Sequence, residues 1–528
     1  MVRLIGFTRI PDLCFFASTL SRIVLFKIMA STPQPAIAQQ PKRSQLAALL
    51  KSHLPHPNQF PLSFAQQRLW FLDQLQPGNP AYTMMAAVRL RGDLDGLALK
   101  RAWQDLVQRH ESLRTRFVLV DGQPCQRVQP TGAVSFTQLD WLDSPPADET
   151  AAIQAQALEL MQQPFDLERD GLVRSHLIRL EANTHVLLLT LHHIISDGWS
   201  MEVLIRELAI LYDAHQRGQP PQLPPLPIQY ADFAVWQRQF LQGQVLEGQL
   251  SYWRSQLSPA MLPSLPTDFS RPAVRSHRGH RHSLGISPAV TTQLQALSQQ
   301  ANATLFMTTL AAFQVLLYDY AQGAAIRVGT PIANRDRPEV ANLIGFFTNT
   351  LVLCADIDSD LTFRQWLQRV RDEAVNAYAH QDVPFEKLVD ELQPERNLSQ
   401  TPLYQVWFYL QDDPVTAVSF PGLTLEPIEI DLGTAKHDLK LGLWKSPQGV
   451  QGALEYSTDL FESATIARLA RGYEDLLVEI ARDPEQSIAT LVQHLRQRQQ
   501  QQQLEQKRVL LSTQRQKLRG TRRQTFTS

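Results

Sequence analysis

The chain has 528 residues, 44% of them hydrophobic, 19% charged and 8% aromatic, and its 50 Lys and Arg nearly balance 51 Asp and Glu for a formal net charge of −1. A single hydrophobic core stops growing well before this length, so two core-bearing units plus tails are expected. The balance excludes a whole-chain signal for nucleic acid or anionic membrane, and Cys14, Cys125 and Cys354 are too few and too scattered for a disulfide framework or a metal-ligand set, which fits a reducing, cytoplasmic setting.

At the N-terminus, the apolar run Leu13 to Leu20 is short and Arg3, Arg9, Arg22 and Lys27 surround it. A spanning helix needs about 20 apolar residues, so this is not one. Basic residues before a short apolar run also outline a signal peptide. Met29-Ala30-Ser31-Thr32-Pro33 reads as the more natural start, which makes residues 1–28 an upstream extension. Residues 1–56 are therefore expected to be a mostly disordered extension, rich in Pro, Gln and Ala from 29 on, with a short helix around Gln45 to His53.

From Pro61 the apolar residues become dense and periodic. His185-Val186-Leu187-Leu188-Leu189-Thr190-Leu191 is a nearly continuous apolar run of strand length, as expected of a buried strand. Met201 to His215 has helical spacing, with Ser200 placed as its N-cap and Glu202 in the first turn. Gly218-Gln219-Pro220-Pro221-Gln222-Leu223-Pro224-Pro225-Leu226-Pro227 is neither helix nor central strand, because proline lacks a donor and locks φ. The expected division is one lobe over 57–217, a stiff connector over 218–228 and a second lobe over 229–490. In the second lobe Leu305 to Ala321 reads as an apolar helix, and Ala325 to Val328 and Leu351 to Cys354 as short strands. The class is α/β with mixed sheets. Residues 491–528 form a Gln-rich basic tail with nine Arg or Lys against Glu505 alone. Leu504, Leu511 and Leu518 are seven apart, the spacing of a short coiled-coil seam; composition alone reads as a solvated tail.

The chemistry concentrates in Leu191-His192-His193-Ile194-Ile195-Ser196-Asp197-Gly198-Trp199-Ser200. A buried strand delivers two histidines at its end and turns through Asp197-Gly198 into a helix, the place where α/β proteins put their sites. Neighbouring strand residues face opposite sides, so His192 and His193 have different jobs. An imidazole accepts a proton from an amine or hydroxyl near neutral pH. Packed structural histidines are the plain alternative. A metal site is not expected, since adjacent histidines chelate poorly and no second cluster supports one.

His192-His193-x-x-x-Asp197-Gly198 resembles the HHxxxDG signature of condensation domains in nonribosomal peptide synthetases. Ser63 to Leu72 resembles the family's first motif, Arg109 to Phe117 its second, Tyr230 to Gln237 its fourth, Ile344 to Thr350 its fifth and His380 to Leu388 its sixth. Arg396 to Leu403 matches the seventh loosely. The motifs keep family order over roughly residues 57–490.

The resemblance implies two chloramphenicol-acetyltransferase-like lobes forming a V-shaped pseudo-dimer, with a tunnel between them that admits two phosphopantetheine arms. The partners are then donor and acceptor carrier proteins, with no cofactor bound by the chain itself, no nucleic acid and no membrane. By position His193 is the catalytic histidine, beside His192. Asp197 is the structural aspartate that pairs with an arginine, for which Arg114 and Arg109 are the candidates. Gly198 fits a turn too tight, or too near a substrate arm, for a side chain. Asn349, Ser196 and Trp199 are candidates for the tunnel wall, and Asn349 serves equally as a strand-end cap. Asp197-Gly198-Trp199-Ser200-Met201 looks like the subtype joining L-configured donor and acceptor. No adenylation loop, carrier serine or G-x-S-x-G elbow is evident, so the chain is expected to act in trans, its basic tail docking an acidic carrier protein or another synthetase module. A non-catalytic docking module and transfer to a soluble amine or alcohol are the alternatives.

Overall fold

The computed structural model describes residues 58–132, 134–258, 265–323, 325–393, 399–411, 420, 422–501 and 504. The lead-in helix, Cys14, Leu511 and Leu518 and part of the loose seventh motif lie outside the described residues.

The first lobe opens with β1 (Gln59–Pro61) and α1 (Phe64–Leu75), then β2 (Thr83–Gly92), α2 (Gly96–Arg109), β3 (Thr115–Val120) and β4 (Gln123–Val128). It continues through β5 (Ser135–Asp140), α3 (Glu149–Gln162), β6 (Val173–Glu181), β7 (Thr184–His192) and α4 (Gly198–Arg217). All nine residues of β7 are buried. The cause is two-sided packing: Leu187, Leu189 and Leu191 share a cluster with Trp103 of α2 and Leu204 of α4, while Val186 and Leu188 pack with Ile153 and Ala157 of α3. Helices on both faces are what a continuous apolar strand requires.

The connector from Gln219 to Leu226 has no regular structure. The second lobe follows with α5 (Tyr230–Phe240), α6 (Gly243–Gln256), β8 (Gly279–Ile286), α7 (Pro288–Gln300), α8 (Leu305–Tyr320), β9 (Ile326–Ile332), β10 (Asn349–Ala355), α9 (Phe363–Ala379) and α10 (Phe385–Leu392). Then come β11 (Val406–Gln411), β12 (Leu423–Pro427), β13 (Leu439–Ser446), β14 (Gly449–Ser457) and α11 (Ser463–Arg482). Its sheet runs β10-β9-β11-β13-β14-β8, with β11 parallel to both neighbours and the remaining pairs antiparallel. The helix expected from Leu305 and the strands expected near Val328 and Leu353 are all present. Among the described residues no single helix is long and apolar enough to cross a membrane; the bent pair α7–α8 passes on composition alone, and its apolar residues fill the second lobe's core.

Three expectations need correction. The lobes are not two consecutive halves: β12 leaves the second lobe and pairs with the edge of β2, from Leu423 opposite Gly92 to Pro427 opposite Val88. The first lobe's sheet is therefore β12-β2-β7-β6-β5. Second, position 491 is not where packing ends. A helix, α12, spans 488–501, with Leu491, Val492 and Leu495 buried and Arg498 paired to Asp475 and Glu479 of α11. Its apolar stripe was hidden by the glutamines and arginines of its outer face. Leu504 of the supposed seam is 60% exposed. Third, α4 begins at Gly198, capped by Asp197, whose carboxylate accepts from the Ser200 amide at 2.8 Å.

The β12 crossing depends on Gly92. Its φ is +133°, and a Cβ there would lie 2.3 Å from the Gly422 carbonyl oxygen. Gly92→Ala is expected to lower unfolding stability by about 1–3 kcal/mol, read from the urea midpoint.

Candidate active site

The strand β7 ends on His192, and His193-Ile194-Ile195 makes one tight turn before α4. The two rings do separate. His192 is 4% exposed, its ring lies edge-on to Phe165, and its Nδ1 accepts from the Ile194 amide at 3.2 Å. Burial, with His193 and Lys436 nearby, pushes it down to about 3. His193 is only partly buried, and its ring lies 4.7 Å from that of Phe346. Its Nδ1 lies 2.8 Å from the Ser196 carbonyl oxygen. A carbonyl only accepts, so Nδ1 carries the proton and Nε2 keeps a free lone pair. Enclosure by protein, then the charge of Lys436, depress His193 to about 4, against smaller opposing pulls from the Ser196 carbonyl and Asp197. At neutral pH the ring is an uncharged base with a defined tautomer. Gln66 steadies this turn: its Nε2 donates to the Ile194 carbonyl, and its side chain closes a capping box with Ser63 at the start of α1.

Asp197 is fully buried and does not touch Arg114 or Arg109. Its partner is Arg335, 1% exposed, whose Nη2 lies 3.2 Å from Oδ1. The other carboxylate oxygen accepts from the Phe347 and Thr348 amides at 2.9 and 3.1 Å and from the Thr348 hydroxyl. Arg109 instead binds Glu207 and the Pro224 carbonyl, while Arg114 binds the Gln129 carbonyl and Glu111. Arg335 was missed because it belongs to none of the motifs. One signal was there: it follows β9, and the register partner of Ile332 is Asn349, so residues 333–348 form one loop carrying both Arg335 and the fifth motif.

That loop is fastened to the first lobe along its length. The Ser200 hydroxyl donates to the Gly345 carbonyl at 2.8 Å and accepts from its amide and from Arg335. Trp199 Nε1 donates to the Ala341 carbonyl at 2.9 Å. Tyr230, bonded to Ser63, donates to the Phe346 carbonyl at 2.6 Å. A Cβ on Gly345 would sit 2.0 Å from the Tyr230 ring, so only glycine permits this approach.

The remaining candidates divide. Ser196 acts through its carbonyl; its hydroxyl makes a long contact to the Asp197 carbonyl. Trp199 is part of the lobe contact just described. Asn349 donates to the Gln381 and Val383 carbonyls and accepts from the Thr350 and Phe385 amides, which uses all of its capacity as a backbone cap. Gly198 corrects an expectation: its φ is not positive and an added Cβ would meet nothing within 4 Å, so the turn itself does not demand glycine. Arg68 of the first motif pairs with Glu386 at 3.0 Å across the lobes. Phe71 of the first motif is 56% exposed. Among the described residues no group of three or more His, Cys, Asp or Glu could hold a metal ion.

Asp197→Ala strands the Arg335 guanidinium in a buried site and is expected to cost about 3–5 kcal/mol in urea unfolding, with Arg335→Met similarly costly and the double variant cheaper than the sum. The histidines give a pH signature. Their folded values lie below the ordinary 6.5, so the unfolded chain binds more protons between about 6.5 and 4. Stability therefore falls as pH drops through that window, and His193→Gln flattens the fall in midpoint-versus-pH data.

The family model described as Condensation domain matches residues 57–504. The chain is 45% identical over 461 residues to one of the proteins that make up the linear gramicidin synthase of Brevibacillus parabrevis, covering 85% of this chain and 6% of that protein. It is 41% identical over 473 residues to Malpinin synthetase of Mortierella alpina, covering 89% of this chain and 6% of that one. The chain thus spans less than a tenth of the length of these relatives. Among solved structures, the X-domain in its complex with OxyB from teicoplanin biosynthesis superposes with a TM-score of 0.73 at 30% identity, over 87% of this chain and 98% of that one. The ordered motifs, the two-lobed α/β fold and the matched model agree, and the chain belongs to the condensation domain family, the acyltransferase domains of nonribosomal peptide synthetases.

Proposed function

We propose that this protein forms an amide bond between two carrier-bound substrates, moving an acyl or peptidyl group from a donor thioester to the amine of an aminoacyl thioester. The observation that carries the reading is the His193 Nδ1 bond to the Ser196 carbonyl, which leaves Nε2 as a neutral acceptor. The amine nitrogen attacks the thioester carbon. A C–N bond forms, the C–S bond breaks, and the amine proton moves to Nε2 and on to the departing thiolate. Proton transfer and positioning share the work, since a partly enclosed site holds both reactants near one base. His192 supports the turn, and Asp197 with Arg335 holds the loop against which His193 rests.

The substrates are proposed as phosphopantetheine thioesters on donor and acceptor carrier proteins, entering a tunnel between the lobes, both residues L-configured. The Asp197-Gly198-Trp199-Ser200-Met201 run supports the last point. The open space over Gly198 supports passage of a substrate arm near the histidines. The relatives' much greater length supports neighbouring synthetase modules as partners, and supplying both carriers as separate proteins tests the reading whatever the arrangement.

A second reading has one observation in its favour: the 30% identical X-domain is seen in complex with another protein, OxyB. It treats the present chain as a docking module.

The test is amide formation between acyl-loaded and aminoacyl-loaded carrier proteins, followed by intact-protein mass spectrometry. Wild type is expected to transfer, and His193→Ala to lose about 100-fold or more with its melting transition preserved. Carrier binding without transfer in either protein establishes the docking reading instead.

A further inference from the structure

Lys436 lies on the segment that returns from β12 to β13. That segment leaves the first lobe at Ile428, whose amide donates to the Ala87 carbonyl at 2.9 Å. It rejoins the second lobe where the Ala435 amide donates to the His277 carbonyl and the Gly279 amide to the Gly433 carbonyl. Just past these anchors the Lys436 ammonium stands 5.7 Å from the centre of the Tyr82 ring. Tyr82 precedes Thr83, which is the register partner of His192. The ammonium therefore sits at the strand end that carries the histidine pair. Lys436 is exposed.

Among the described residues no ion pair is formed by its ammonium. Glu455, the carboxylate that acts on it, is held by Lys440, and Asp438, two residues on, is held by Arg271 and Arg275. Lys436 acts on both histidines, and Asp197 of the first lobe, paired with Arg335 of the second, acts on His193; Lys440 and Glu455 act on Lys436, and Lys440, Arg275 and Arg68 on its neighbour His437. Of these groups, the full charges other than Lys436 are held in ion pairs. Burial and Lys440 lower Lys436 to about 8, which keeps it mostly charged at neutral pH.

We propose that Lys436 is a positioning residue for the transfer reaction, its ammonium disfavouring a second positive charge at the histidine end of β7, on His193 or on the incoming amine. The proposal rests on the transfer reading above. An amine attacks only through its free lone pair, and a base works only while unprotonated. A nearby cation opposes a proton on either, and Coulomb's law needs no contact to do it. Asp197 is poorly placed to cancel this field, since Arg335 and two amides already hold its charge.

The experiment uses the full chain as Lys436→Met, Lys436→Gln and Lys436→Arg, each checked by thermal melting. Histidine ring-carbon labels are titrated by NMR, with the His193 signal assigned by its loss in His193→Gln. The midpoint is expected to rise by about one pH unit in the two neutral variants and to stay near wild type in Lys436→Arg. The acid limb of amide formation between loaded carriers moves up with it. An unmoved His193 midpoint in the neutral variants, or Arg behaving as Met does, overturns the proposal. The titration requires no turnover, so an inactive wild type with a shifted midpoint overturns the transfer reading, while an active one with an unmoved midpoint overturns only the role of Lys436.

Discussion

The buried pair of Asp197 and Arg335 is the constraint on which the site depends. One carboxylate does three things at once: it caps α4, it holds a guanidinium 1% exposed, and it accepts two amides from the loop of the opposite lobe. A buried ion pair is rarely worth much against an apolar replacement, because desolvation offsets attraction. Its value here is geometric. The cap fixes where the helix starts, the helix start fixes the turn after β7, and that turn sets the Ser196 carbonyl against His193. The same carboxylate brings Phe346, through its neighbour Phe347, to the face of the His193 ring.

Histidine chemistry follows from this frame. A histidine with a free ring would interchange tautomers and titrate near its ordinary value. Here a backbone carbonyl selects the tautomer, while enclosure and a nearby cation remove the charge. Its neighbour His192 differs by one residue and faces the packed interior, where its Nδ1 is spent on an amide of the turn. Two identical side chains thus have different surroundings because β7 ends on His192 and the turn into α4 begins at His193.

Much of the fold was legible because burial writes itself into periodicity. The continuous apolar run of β7, the helix of α8 and the proline-rich connector are each local signals, and each stands where the pattern put it. His193 and Asp197 were legible as a motif. What the sequence concealed was pairing at a distance. Arg335 is 138 residues from Asp197, and nothing local to either names the other. The nearer arginines of the second motif were the natural guesses, yet Glu207, on the same helix as Ser200, claims Arg109. The β12 crossing was hidden for the same reason: an edge strand of five residues looks alike whichever sheet receives it. Asn349 was ambiguous because an amide at a strand end serves backbone or substrate equally well, and only the count of its four bonds decides.

The crossing changes what the lobes are to each other. If they were independent halves, the first lobe would hold the histidines and the second would merely cover them. Instead the second lobe sends a strand into the first lobe's sheet and, on the way back, leaves Lys436 beside the end of β2. The first lobe sends the Ser200 hydroxyl and the Asp197 carboxylate to the opposite loop, and Ser63 to Tyr230, which bonds that loop in turn. The contacts and charges around the His193 ring are thus drawn from both lobes. A movement of one lobe against the other would then change the electrostatics of His193 as well as the width of any passage between them, because Coulombic terms and the ring contact with Phe346 both span the same seam.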